Sequence, residues 1–149
     1  MGDFFREISH NQVLWVTMSA WMLAQFLKVL FYFYKEKRIN FRRFVGAGGM
    51  PSAHAALVSS LATAMGIKYG WDSTSTALAL IFAFIVMYDA AGVRLAASRQ
   101  AVILNKIVDE LFEEGEFHQE RLIELLGHTR VEVIAGAALG ILMAVVLIR

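Results

Sequence analysis

Two stretches of the chain carry side chains that could move a phosphoryl group. Residues 46–54 read Gly-Ala-Gly-Gly-Met-Pro-Ser-Ala-His. Glycines let backbone N–H groups turn toward one point, Pro51 suits a first helical turn, and a helix N-terminus adds partial positive charge, so the segment around Gly49 and Ser52 can cradle a phosphate. The same residues equally make a tight turn into a membrane helix with Ser52 as its N-cap. His54 adds an imidazole beside that nest, able to donate a proton to a leaving group near neutral pH or to sit as a structural histidine. In the second stretch, His128 and Glu132 are four residues apart at the opening of the last apolar segment. On a helix they are neighbours, and the carboxylate can hold Nδ1–H and leave Nε2 free to attack. A His and Glu pair at this spacing also stabilises an exposed helix, so the chemistry rests on both histidines reaching one face of a membrane.

The elements that must bring them there are apolar helices. Val13 to Tyr34 is long enough, at about 1.5 Å per residue, to cross a hydrocarbon core of about 30 Å. Asp3 and Glu7 spoil the basic region a signal peptide would need, so this span is expected to be retained. Thr74 to Val93 and Val131 to Ile148 are further spans. Ser52 to Tyr69, rich in Ala, Ser and Leu, crosses only if its small polar residues face other helices. The expected fold is all-α, an integral membrane bundle of about four transmembrane helices within one domain over residues 1–149.

Loop charge sets the expected orientation. Lys35, Lys37, Arg38, Arg42 and Arg43 stand against a single acid, Glu36, and such a cluster belongs on the cytoplasmic side of a cell membrane. The short link at Trp71 and Asp72 is then an outer hairpin, and Arg94 to Arg130 faces the cytoplasm. Within that segment Ala97, Ala101, Leu104, Val108 and Leu111 form one apolar stripe, opposite Arg99, Lys106, Asp109 and Glu110. This amphipathic helix at the cytoplasmic face either lies against the membrane and bundle or pairs with a second copy, making a homo-oligomer through residues 97–111. Gly115 is expected to end it, with a short helix from Phe117 to Leu126.

Composition excludes much else. The 149 residues are 58% hydrophobic and 18% charged, which leaves no ordinary water-soluble globule. With no cysteine there is no disulfide framework, thiolate metal site or cysteine nucleophile. A net charge of +1 offers no general attraction to nucleic acid. Inside the spans, Gln25 and Lys28 share a face of the first helix, where the ammonium meets a polar site or snorkels to the headgroups. Asp89 and Arg94 close the third span, Arg94 placed to fork onto phosphate oxygens or to obey the positive-inside rule.

Met50-Pro-Ser-Ala-His54 resembles the P-S-G-H motif of the type 2 phosphatidic acid phosphatases, the superfamily that includes the vanadium haloperoxidases. His128-x3-Glu132-x3-Gly136 is similar to that superfamily's H-x3-D-x3-G, with Glu for Asp. With Tyr88-Asp-Ala-Ala-Gly-Val-Arg94 and Leu126-Gly-His-Thr129, nearly the whole chain looks like the family's small divergent branch. The resemblance implies that His128 forms a phosphohistidine, Glu132 orients it, and His54 protonates the leaving oxygen. It further implies that Ser52 and the backbone around Gly49 hold phosphate oxygens, with no metal or other cofactor. The family's K-x6-R-P motif has a partial echo in Lys35-x6-Arg42, without the proline, and Lys28 is the alternative source of that charge. The S-R pair expected before the histidine is missing, and Arg94 is the replacement candidate. Ser98-Arg99-x5-Asn105-x3-Asp109 keeps the spacing but places an asparagine, which cannot form a phosphoenzyme, where the nucleophile belongs.

The resulting expectation is a metal-independent phosphatase for a membrane lipid phosphate, its headgroup site at the cytoplasmic face and its tail between the helices. A scaffold that binds an anionic lipid without turnover is the alternative. A small oligomeric transporter, with Lys28, Asp89 and the histidines as a charge relay, is a third reading.

Overall fold

The computed structural model describes residues 2–36, 49–111 and 128–148, and every described element is a helix. In chain order they are α1 (Gly2–Ser9), α2 (Gln12–Glu36), α3 (Ala53–Tyr69), α4 (Thr74–Ala91), α5 (Val93–Leu111) and α6 (Arg130–Leu147). Four of them fall on the four predicted apolar segments, with ends shifted by at most two residues. Three are long and apolar enough to cross a membrane, over Gln12–Tyr34, Thr74–Ala91 and Arg130–Leu147.

The shorter helix α3 holds the bundle together, packing against α2, α4 and α6. Its sequence explains why. Alanines, serines and a threonine fill its buried positions, and small side chains let neighbouring backbones come close where no hydrophobic force draws helices together. Helix α6 matches this with Gly136 and Gly140. A Cβ at Gly136 would overlap the Ser52 carbonyl, and one at Gly140 would overlap the Ala56 carbonyl and the Ser59 hydroxyl. The Ser59 hydroxyl donates to the Ala137 carbonyl at 3.0 Å across the same seam. The large apolar side chains go the other way: Leu78, Phe82 and Phe84 on α4, with Ile134 and Leu142 on α6, are exposed. Small residues inside and large ones outside is the arrangement a lipid solvent favours, because acyl chains solvate leucine as well as a protein core does.

The two ends of the bundle differ. At one, Val13 and Val16 of α2 meet Ala64 of α3 and Ala144 and Ile148 at the end of α6, and the Gln12 side-chain amide donates to the Leu147 carbonyl at 3.1 Å. The turn between α3 and α4 lies at this end. Gly70 closes α3 at φ +90°, which suits a residue without a Cβ, and Ser73 caps α4 by accepting from the Thr76 N–H at 3.2 Å. At the other end, α2 and α4 finish and α3 and α6 begin.

Helix α5 departs from expectation. It starts at Val93, four residues before the predicted stripe. Ala101 of that stripe and Asn105 are buried, whereas Leu104 and Val108 are exposed. The predicted helix from Phe117 to Leu126 and its boundary at Gly115 lie outside the described residues.

Candidate active site

The second histidine motif is shaped by a capping box. Thr129 precedes α6, its hydroxyl accepting from the Glu132 N–H at 3.3 Å while the Glu132 carboxylate accepts from the Thr129 N–H at 3.3 Å. The same carboxylate oxygen, Oε2, stands 2.9 Å from His128 Nδ1. An ionised carboxylate only accepts, so Nδ1 carries the proton and Nε2 keeps its lone pair. One carboxylate thus starts the helix and fixes the imidazole tautomer. The His128 N–H donates to the Ala90 carbonyl at 3.2 Å, which ties the residue to the last turn of α4, and the side chain is only 2% exposed.

The first motif docks onto this box through the backbone. The Ser52 N–H donates to the Glu132 carbonyl at 2.9 Å, and the missing side chain at Gly136, one turn further along α6, lets the two segments close. Ser52 is fully buried and its Oγ accepts from the Ala55 N–H at 3.4 Å as the N-cap of α3. Its backbone N–H is therefore spent within the protein, while the hydroxyl keeps its O–H proton and a second lone pair. Pro51 lies just ahead of this cap, not in the first helical turn. Two residues beyond the cap, His54 is exposed, and its ring centroid lies 6.1 Å from that of His128 at an interplanar angle of 62°.

Lys28 of α2 completes the group. It is 5% exposed, so it runs inside the bundle and does not snorkel outward. Gly49, at φ +90°, sits on its methylene stem, where a Cβ would come within 3.1 Å of Lys28 Cγ. The structure thus gathers His54, His128, Glu132, Lys28, Gly49 and Ser52 at one end of the bundle. Arg42 and the side chain of Arg94 lie outside the described residues. The sequence reading quoted Thr129 and Ala90 within longer motifs and gave neither of them a role. The T-x-x-E spacing announces Thr129 as a cap, whereas nothing local announces a carbonyl 38 positions upstream.

The family model described as the divergent PAP2 family matches residues 9–143. The uncharacterized membrane protein YuiD of Bacillus subtilis (strain 168) is 37% identical over 152 residues, covering 95% of this chain and 96% of its own. No solved structure matches.

Proposed function

The chain belongs to the divergent PAP2 family, and on that premise we propose that it is a metal-independent phosphatase acting on a membrane lipid phosphate through a phosphohistidine. The observation that carries this reading is the oriented pair: His128 with Nδ1 held by Glu132 at 2.9 Å, and the His54 ring 6.1 Å away.

Each residue then has one task. Nε2 of His128 attacks phosphorus, the bond from phosphorus to the lipid oxygen breaks, and protonated His54 gives its proton to that oxygen as the lipid alcohol leaves. Glu132 holds the tautomer and stabilises the cation that forms on the ring. Neutral His54 then takes a proton from water, which attacks the phosphohistidine and releases inorganic phosphate. Lys28 and the nest around Gly49 balance charge on the phosphoryl oxygens, a preorganised field that costs no rearrangement as the bond breaks. Burial of His128 shields the phosphoenzyme from bulk water, while exposed His54 stands where water and product alcohol pass.

The test is release of phosphate by purified protein from phospholipid and polyprenyl phosphates in mixed micelles. We expect turnover in the presence of a metal chelator, a rate that rises and falls with pH because one imidazole must be neutral and the other protonated, and acid-labile phosphate on the protein. Release no greater than that of His128→Asn would overturn the hydrolytic reading. The family membership and the buried cation would then favour a binder of anionic lipid.

A further inference from the structure

One polar group beside this site has no use in the mechanism. Gln25 lies one turn from Lys28 on α2, three residues and about 4.5 Å further toward the middle of the span. It is 7% exposed, and its side-chain oxygen has no hydrogen-bond partner. Two other buried oxygens share that condition, Thr17 Oγ1 and Ser60 Oγ, but a serine or threonine hydroxyl can rotate onto the carbonyl a turn earlier in its own helix. The amide of a glutamine has no such local recourse. Within a bilayer, water does not supply the missing bond, so a polar group held there marks where a ligand's own polar group comes to rest.

Position defines what the ligand must offer. Lys28 and the two histidines sit at the headgroup end, and Gln25 is the next polar residue inward along α2. It therefore meets the carbons between the phosphate and the apolar tail. A carboxamide oxygen accepts and needs a donor. An esterified glycerol oxygen or a prenyl chain has none, whereas a free hydroxyl next to the phosphate ester does.

We infer that Gln25 is a specificity-determining residue that reads a free hydroxyl beside the phosphate, so that hydroxyl-bearing lipid phosphates are preferred over fully acylated or prenyl ones. The inference rests on the phosphate-site reading above. A site built to bond a hydroxyl discriminates strongly against the analogue lacking it, because the buried polar group is left unpaired.

The experiment compares 1-acylglycerol 3-phosphate with 1,2-diacylglycerol 3-phosphate, which differ beside the phosphate in that hydroxyl. Both kcat/KM for phosphate release and the shift in melting temperature of detergent-solubilised protein are measured, on wild type, Gln25→Met and Gln25→Leu. Wild type is expected to favour the hydroxyl-bearing lipid by about tenfold, and the variants to lose that preference by weakening on that lipid alone. Comparing the ratio between proteins cancels differences in how the two lipids disperse. Equal handling of both lipids by wild type, or a preference that survives in the variants, overturns the inference while leaving the phosphatase standing. If phosphate release is absent but the melting shifts remain, those shifts decide the role of Gln25 alone. If neither lipid is hydrolysed or shifts the melting of wild type, the phosphate site itself is refuted, and the role of Gln25 with it.

Discussion

The two ends of the bundle use the same residues to opposite effect. At the turn between α3 and α4, a glycine at φ +90° and a capping serine form a closed local circuit. The Ser73 and Thr76 hydroxyls both donate to the Gly70 carbonyl, at 2.9 and 2.8 Å, and the Trp71 ring covers Gly66 so closely that a Cβ would come within 2.6 Å. Every partner there comes from an eleven-residue stretch, and the polar groups satisfy one another. At the opposite end a glycine at φ +90° and a capping serine again begin a helix, but their neighbours are Lys28, Ala90, His128 and Glu132, drawn from three other parts of the chain. Titratable groups gather there, and a carboxamide one turn away is unpaired. Glycine and serine at a helix start are therefore no evidence of a site. Convergence of distant ionisable groups onto that helix start is what distinguishes one end from the other.

Substitution can break this contrast, and the largest effect is expected at the nucleophile. His128→Asn should lower phosphate release by about a thousandfold or more, since an asparagine cannot form the phosphoenzyme. Next, Glu132→Gln should cost roughly a hundredfold or more in rate, because an amide no longer fixes the tautomer. Its stability should fall by only about 1 kcal/mol, the worth of a cap. Ser73→Ala removes a cap of similar worth at the opposite end and should cost about 1 kcal/mol in thermal unfolding while leaving kcat/KM unchanged. If Ser73→Ala and Glu132→Gln lowered the rate alike, the proposed division between the ends would be wrong. Gly136→Ala probes what joins the motifs. The added Cβ meets the Ser52 carbonyl, and overpacking of about 1–3 kcal/mol should come with a loss of rate as the two histidines move apart. Gly66→Ala, pressed against Trp71, should destabilise by a similar amount with no loss of rate per folded molecule.

Much of this molecule could be read along the chain. The apolar spans were legible because helix length and hydrocarbon thickness are matched by physics alone. The pairing of His128 with Glu132 was expected from the four-residue repeat of a helix, but His128 lies ahead of the Thr129 cap, and the capping box is what turns the Glu132 carboxylate back toward it. The burial of Lys28 was not legible, because a lysine six residues from a helix end has the same local sequence whether it snorkels or points inward. Nor was the inner face of α5, where Ala101 and Asn105 are buried and Leu104 and Val108 are not. A soluble amphipathic helix buries its large apolar stripe, whereas here the packing favours small residues inside.

The sequence by itself marked the four long apolar helices and the side chains whose chemistry suits a phosphate. Only the tertiary structure decided that residues 54 and 128, which lie 74 positions apart, present their rings to each other. That proximity arises where Gly136 and Gly140 let α6 lie against the backbone of α3 and where the Ser52 N–H meets the Glu132 carbonyl. Spacing along a chain specifies neighbours within one helix. Contact between two helices depends on how near their backbones can come, and that is set by side chains that are absent.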